Sequence, residues 1–438
     1  MNLDKSFSLQ KKASKIIPGL CQLLSKRPDM FSWGVWPGYF KKAKGCYITD
    51  LDDNEYLDMS ISGIGACVLG YANDDVDDLV VEAIRNGSAS SLNCKEEVDL
   101  AELLCDIHPW ADMVRFSRTG GESMAIAVRI ARAYTKKDKI AFCGYHGWHD
   151  WYLAANLGSE DSLDGHLLPG LNPLGVPKGL QGTAIPFKYN DFDSLQKIVL
   201  ENKNEMAAIV MEPIRNEKPD DNFLQKVQQL AKENDLVFVI DEISSGFREN
   251  SGGIQLKMDF TPDIAVFSKA IGNGYPIGAI IGNSKVMSAA QDTFISSTNW
   301  TERVGYVAAI QTIKIHQKLN VGEHLIKMGM AIQNIWKLNA EKYDLNINIG
   351  GIYPLSHFSF SSQYSQELKA LFIQEMLEEG ILAGSIFYPS LAHDESHIEK
   401  YNVATDKAFK TCKDVLMKNN FEKVLVGKKS ASGFTRLN

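Results

Sequence analysis

The chain of 438 residues carries 46 Lys+Arg against 54 Asp+Glu, a formal net charge of −8, with 45% hydrophobic and 23% charged residues. Those proportions belong to an ordinary globular enzyme of two or three domains and exclude a disordered or collagen-like chain. The acidic surplus, with Lys41, Lys42 and Lys44 as the densest basic run, also argues against a nucleic-acid partner, which needs a broad basic surface.

The opening segment MNLDKSFSLQKKASKIIPGL has charge but no apolar core of signal-peptide length. Nowhere do about eighteen apolar residues run together, so the sequence predicts neither secretion nor membrane attachment, and a cytoplasmic location. Cys21, Cys46, Cys67, Cys94, Cys105, Cys143 and Cys412 are odd in number and include no C-x-x-C pair, the pattern of reduced, mostly buried thiols.

After a short opening helix, an apolar alternation over Gly45–Asp50, the turn Asp52-Asp53-Asn54 and a second run Glu55–Asp58 predict a hairpin near a sheet edge. Beyond Gly70 the spacing of Val76, Leu79, Val80, Ala83 and Ile84 is helical. Short apolar runs then alternate with amphipathic helices: Met113–Phe116, Lys139–Cys143, Ala207–Met211, Leu236–Ile240, Ile264–Phe267 and Ala279–Ile281. Continuous runs of this length, separated by helices, predict an α/β fold with a mainly parallel sheet buried on both faces. The Gly- and Pro-rich stretch Leu157–Lys188 is too long for an idle loop and is predicted to lie over a site. One long helix is predicted over Val304–Leu338. From Asn346 onward strand-like (His357–Phe360) and helix-like (Leu368–Glu379) pieces read as a smaller α+β unit.

Four features fall at the ends of the central runs, where open α/β sheets place ligands. Phe116-Ser117-Arg118-Thr119-Gly120-Gly121-Glu122-Ser123 passes from a strand into a helix, offering backbone N–H groups and the positive end of a helix dipole to a phosphate. It matches neither standard nucleotide loop, and a Gly-Gly pair is also a plain tight turn. Leu236–Ile240 ends in Asp241 and Glu242, either of which suits a metal, a general base or the partner of a cationic ring. Ile264–Phe267 leads through Ser268 to Lys269 and a glycine-rich turn, and a lysine at a buried strand end is disfavoured as an ammonium unless paired, which makes its amine nucleophilic. Cys143-Gly144-Tyr145-His146-Gly147-Trp148-His149 sets an aromatic ring where it can cover a planar ligand or simply join the core. The pairs His146/His149 and His393/His397 lack a third ligand and the H-E-x-x-H order, so no metal is expected.

Together, a phosphate cradle, a stacking aromatic, a strand-end Asp and a strand-end Lys are the inventory for pyridoxal phosphate. The lysine would hold the aldehyde as an imine. The aspartate would keep the pyridine nitrogen protonated, through a Coulomb interaction of roughly 5 kcal/mol before desolvation.

At these residues the chain resembles the class III, or ω, aminotransferases of PLP fold type I, in particular the branch that includes glutamate-1-semialdehyde 2,1-aminomutase. The resemblance runs through Lys44-Gly45-x-Tyr47, Tyr145-His146-Gly147, Met211-Glu212-Pro213, Asp241-Glu242, Gly246-Phe247-Arg248 and Thr261-Pro262-Asp263 to Gly278. It implies a seven-stranded, mainly parallel sheet in a large PLP domain (76–304), and a small α+β domain built from both termini (1–75 and 305–438). It implies that Lys269 forms the Schiff base and shuttles the proton, that Asp241 faces the pyridine nitrogen, that Ile243 packs under the ring and Tyr145 stacks on it, and that Thr119, Gly120 and Gly121 cradle the phosphate. Thr298 matches the threonine that reaches the phosphate of a neighbouring subunit, which implies a homodimer with shared sites.

Departures bear on the substrate. The mutase pattern has Ser-Gly-Thr where this chain has Thr119-Gly120-Gly121, Ile64 stands in place of its tryptophan, and its N-terminal arginine, which would hold a glutamate carboxylate, has no clear counterpart around Pro28, with Arg27 only a stand-in. Arg215, Glu217 and His146 are candidate substrate residues; Arg215 suits an anionic group, though a loop arginine also serves as a surface ion-pair partner. The aromatic run Tyr145–Tyr152 suits a sugar or polyol, and the branch resembles enzymes of surface-polysaccharide synthesis. The expected activity is amino transfer from a donor to a small oxo-substrate, a sugar or phosphorylated polyol among them. The rivals are the intramolecular mutase, a non-catalytic fold-type I binding protein, and a metal-dependent hydrolase supported only by the histidine pairs.

Overall fold

The computed structural model describes residues 2–433 apart from 160, 167–168 and 215. The chain divides into two units, one made of the segments up to Asn73 and from Glu323, the other of Asp74–Gly322.

The first unit opens with the expected helix, Asp4–Ile16, and continues into β1 (Phe40–Lys44), β2 (Tyr47–Asp50) and β3 (Glu55–Met59), an antiparallel ribbon. The predicted turn closes it: the Asp50 carboxylate accepts from the amides of Asp52 and Asn54 at 2.8 and 2.9 Å, while Asp53 takes the left-handed conformation.

The second unit holds a seven-stranded sheet of β4 (Met113–Ser117), β5 (Lys139–Cys143), β6 (Ala184–Pro186), β7 (Met206–Met211), β8 (Val237–Asp241), β9 (Ile264–Phe267) and β10 (Gly278–Gly282), in the order β4-β10-β9-β8-β7-β5-β6. β7 to β10 are buried along their whole lengths, as their continuous apolar runs require. Helix Gly120–Thr135 covers one face with Met124, Ala127, Ile130 and Ala131. Helix Phe223–Glu233 packs Phe223, Val227 and Leu230 into the other cluster. Each such aliphatic or aromatic side chain contributes about 1.5–3 kcal/mol on burial. β6 was not legible as a strand. It is three residues long and contains Pro186, which lacks a ladder N–H and is tolerated because β6 lies at the sheet edge.

The helix expected over Val304–Leu338 is two helices, Arg303–Lys318 and Val321–Lys342, separated at Asn320, whose φ of 47° ends the first. The units change at Gly322–Glu323 rather than near 304, because helix Arg303–Lys318 packs on helices Asp74–Arg85 and Lys95–Ile107 of the second unit. The Arg303 guanidinium meets Glu96 with two hydrogen bonds of 3.0 and 2.6 Å.

Back in the first unit, β11 (Ile347–Gly350), β12 (Ser356–Phe360) and β14 (Ile386–Phe387) form an antiparallel sheet, and β13 (Ile381–Ala383) joins β3 in parallel. Their core is aromatic, with Trp336, Phe358, Phe372 and Phe409 in one cluster and the Trp336 indole N–H donating to Tyr401 at 2.8 Å. Among the described residues no helix is long and apolar enough to cross a membrane.

Candidate active site

β10 runs antiparallel to both β4 and β9, and β9, β8, β7, β5 and β6 are mutually parallel. The C-terminal ends of these six parallel strands therefore share one sheet edge, the edge at which such folds bind ligands. The helix start after β4, Tyr145 after β5, Glu212 after β7, Asp241 on β8 and Lys269 after β9 all lie there.

After β4, Thr119 takes an extended conformation and Gly120 opens the helix. The Glu122 carboxylate turns back to accept from the amides of Arg118 and Thr119 at 2.8 and 3.4 Å, which leaves the first-turn amides of Gly120 and Gly121 without intrahelical acceptors. A Cβ at Gly120 would sit 3.0 Å from Ile243, and one at Gly147, whose φ is 100°, would sit 2.7 Å from the Cα of Gly121. The glycines thus let the Ile243 side chain and the Tyr145–Gly147 loop close on the helix start, forming a cradle with an anion-binding floor.

Asp241 is 3% exposed. Its Oδ1 accepts from the Ile243 amide at 3.0 Å, and its Oδ2 lies 2.8 Å from Nδ1 of His146. Glu242 occupies a separate apolar environment: its carboxylate accepts from the Ser245 hydroxyl at 2.6 Å and the Gln255 amide at 3.4 Å, and burial pushes it up to about 7. Alternation along the strand end separates the two carboxylates, leaving Asp241 as the one beside the Tyr145–Gly147 loop.

Lys269, half-buried, has φ 45°, a costly left-handed conformation for a non-glycine residue, and its Nζ donates to Oγ of Ser244 at 2.8 Å. The preceding Ser268 hydroxyl donates to the Ile277 carbonyl at 2.8 Å and ties the lysine turn to the residue before β10. β8 and β9 pair directly, Asp241 opposite Val266, so the anionic and amine groups end neighbouring strands.

The Tyr145 ring is 36% exposed, with Tyr152 edge-on at 6.0 Å. Its backbone amide donates to the Glu212 carboxylate at 3.1 Å, and Gly144, at φ 111°, leaves room for that carboxylate. Glu212 also helps line a cavity of about 780 Å³ with His166, Lys188, Asp191, Asn216 and Glu217. Part of the Leu157–Lys188 stretch, including Asp161, Gly165, His166 and Lys188, forms one wall of that cavity.

The remaining candidates separate. Glu217 is exposed on the cavity wall. Thr298 is exposed at the start of the turn Thr298–Thr301, which Arg118 holds through the Trp300 carbonyl at 2.9 Å. Arg215 lies outside the described residues. His146 does not face outward as a substrate residue would; it is 1% exposed and engaged with Asp241. The sequence does not show that contact, the one between Lys269 and Ser244, or the one between the Tyr145 amide and Glu212, a residue it marks only as part of a motif, because each joins residues distant along the chain.

The profile of the class III aminotransferases matches residues 34–401. The chain is 36% identical over 379 residues to a 3-aminobutyryl-CoA aminotransferase of Cloacimonas acidaminovorans, covering 85% of this chain and 87% of the relative. It is 32% identical over 402 residues to a glutamate-1-semialdehyde 2,1-aminomutase of Francisella philomiragia, covering 85% and 91%. Among solved structures, the FumI protein of Sphingopyxis sp. MTA144, in a PLP-bound form, superimposes with a TM-score of 0.86 at 23% identity over 96% of this chain and 98% of that one. An ω-transaminase from Sphaerobacter thermophilus gives 0.83 at 21% identity, covering 93% and 97%.

The cradle fits pyridoxal phosphate: first-turn amides for the phosphate, an open aromatic face for the ring, a buried carboxylate for the ring nitrogen and an amine for the aldehyde. When bound, this cofactor supplies an electron sink for the charge left when a proton leaves the substrate carbon. From profile, relatives and fold alike, this chain belongs to the class III aminotransferases, which are PLP-dependent enzymes.

Proposed function

We propose that the protein moves an amino group between an amino donor and a small oxo-substrate in two half-reactions. In this reading Lys269 holds the cofactor through its amine and carries the proton, and Ser244 fixes the amine when it is not so engaged. Asp241 keeps the ring nitrogen protonated, while Ile243 and Tyr145 enclose the ring and Thr119, Gly120 and Gly121 receive the phosphate. The observation that carries the reading is the pairing of β8 with β9, which brings a buried carboxylate and a hydroxyl-held lysine to adjacent strand ends.

The intramolecular mutase is the second reading, favoured by the Francisella relative. Against it stands the lack of a clear counterpart to the arginine that would receive a glutamate carboxylate: the stand-in, Arg27, is buried and its guanidinium makes hydrogen bonds of 3.0 and 2.5 Å to Asp29. A guanidinium engaged in this way loses a well-formed bidentate pair if it turns to a substrate. For the oxo-substrate, the cavity beside Glu212 sets Asp161, Asp191, Glu212 and Glu217 against Lys188. Such a lining supports a neutral, hydroxyl-bearing compound such as a sugar over a phosphorylated polyol.

A homodimer is part of the proposal. Trp148 and Phe294, 70% and 85% exposed, border a cavity of about 670 Å³ lined also by Trp300, next to Thr298. Large rings left in water beside the residue assigned to a neighbour's phosphate support a second copy as their cover.

The test is the visible absorbance of the PLP-loaded protein on addition of glutamate, alanine, amino sugars and amino-sugar phosphates. Discharge by an amine, and recovery with an oxo-compound, is expected. Conversion of glutamate-1-semialdehyde to 5-aminolevulinate without an added donor would decide for the mutase; failure of every amine would overturn the two-half-reaction reading, and failure of glutamate-1-semialdehyde as well would overturn both.

A further inference from the structure

His146 has an unusual pair of neighbours. Nδ1 lies 2.8 Å from Oδ2 of Asp241 and Nε2 lies 3.1 Å from the backbone carbonyl oxygen of Cys143. Both partners are acceptors, whereas a neutral imidazole offers one N–H and one lone pair. Three other buried histidines of the chain follow the neutral rule. His108 donates from Nδ1 to the Leu104 carbonyl and accepts at Nε2 from the Gly253 amide. His316 faces the Phe247 carbonyl with one nitrogen and the Ser251 hydroxyl with the other. His393 pairs the Asp58 carbonyl with the Ser390 amide.

We infer that Asp241 and His146 together hold one proton more than a carboxylate beside a neutral imidazole, so that both nitrogens of His146 donate. His146 is then a positioning residue for Asp241, and the inference rests on the pyridoxal phosphate reading of that carboxylate. It does two things. It fixes the carboxylate plane, since Oδ2 is held by His146 and Oδ1 by the Ile243 amide, so Asp241 meets the cofactor ring without rotating. It also places a positive charge directly behind the carboxylate, which tempers how strongly Asp241 retains a proton on the ring nitrogen.

The surroundings concentrate the effect. The imidazole is stacked at 6.0 Å on Trp151 and meets the edges of Phe142 and Tyr152. The ionisable groups packed around it are Asp241, Tyr152 and His166, with the Cys143 thiol on the strand whose carbonyl it uses. Burial holds His166 down to about 4, and its Nδ1 accepts from the Gly144 amide at 3.1 Å. Burial pushes the Cys143 thiol up to about 12.

Two measurements test this. The first is ring ¹⁵N NMR of the histidine-labelled protein near neutral pH, with and without pyridoxal phosphate, His146 being assigned by its disappearance in H146N. Protons on both His146 nitrogens are expected, with His108 and His316 singly protonated as internal references. A His146 with one bare nitrogen overturns the inference. The second is the pH titration of the visible absorbance of wild-type and H146N holoenzyme. Asparagine still donates to Asp241 but carries no charge, so cofactor affinity is retained while the midpoint moves upward by roughly one unit. An unchanged midpoint in a folded H146N holoenzyme overturns it. Should the wild type take up no pyridoxal phosphate, the cofactor reading fails and the NMR result alone decides the shared proton.

Discussion

Lys269 and Ser244 come from different strand ends and meet through a 2.8 Å hydrogen bond from Nζ to Oγ. The bond gives the amine a resting position on a backbone that already holds Lys269 at φ 45°. Lys269→Ala is expected to abolish the visible absorbance of added pyridoxal phosphate and to slow the amine half-reaction by roughly 10²–10⁴-fold or more, the worth of a positioned acid–base group. Ser244→Ala should keep the absorbance and lose far less. Stopped-flow spectra of the two variants check this, and a Lys269→Ala protein that turns over amines at the wild-type rate would remove the lysine from the chemistry.

Gly147 tests the cradle. A methyl there lies 2.7 Å from the Cα of Gly121 and must be carried at φ 100°, so Gly147→Ala is expected to cost about 1–3 kcal/mol and to weaken cofactor retention. Gly120→Ala meets the flexible end of Ile243 at 3.0 Å and should cost less in stability. Thermal melts of the apo proteins, read beside equilibrium dialysis of pyridoxal phosphate, separate the two effects.

His108 and His316 predict acid sensitivity. Burial lowers both from 6.5 to about 4, so below 6.5 the unfolded chain takes up protons that the folded chain refuses. Their contribution is fully present above pH 6.5 and is lost as pH falls towards 4, on the order of 3 kcal/mol each at the low end. Urea midpoints measured across this interval should fall with pH, and His108→Gln, keeping a donor and an acceptor without a titrating ring, should flatten part of the slope.

Arg27 and Asp29 form a buried pair, and removal of one partner strands the other. Arg27→Ala is expected to destabilise the protein by about 3–5 kcal/mol, with the double variant Arg27→Ala/Asp29→Ala recovering part of that loss. An Arg27→Ala protein of unchanged stability but raised KM for an anionic substrate would return Arg27 to the substrate and strengthen the mutase reading.

Phe294→Asp places a charge on the exposed aromatic face. A shift from dimer to monomer in light scattering, accompanied by loss of activity, is the expected result; an unchanged mass would move the interface elsewhere.

The chain's own pattern was sufficient for much of this. The apolar runs that form β5 and β7 to β10 are continuous because both sheet faces are buried, and that is a local property of the sequence. A charged residue at the end of such a run is local too, which is why Asp241, Glu242 and Lys269 stand out as candidates in the sequence, while the choice between the two carboxylates rests on the family resemblance. The acidic balance of 46 basic against 54 acidic residues likewise argues against a nucleic-acid partner from composition alone. Other features are settled only by folding. β6 is legible only once its edge position excuses Pro186, and the helix break at Asn320 depends on a left-handed backbone that asparagine permits but does not impose. The partner of His146 lies 95 residues away, that of Lys269 25 residues away and that of Tyr145 67 residues away. Hydrogen bonds of this kind are formed by strand order, and strand order follows from how whole faces pack, which no single stretch of sequence encodes.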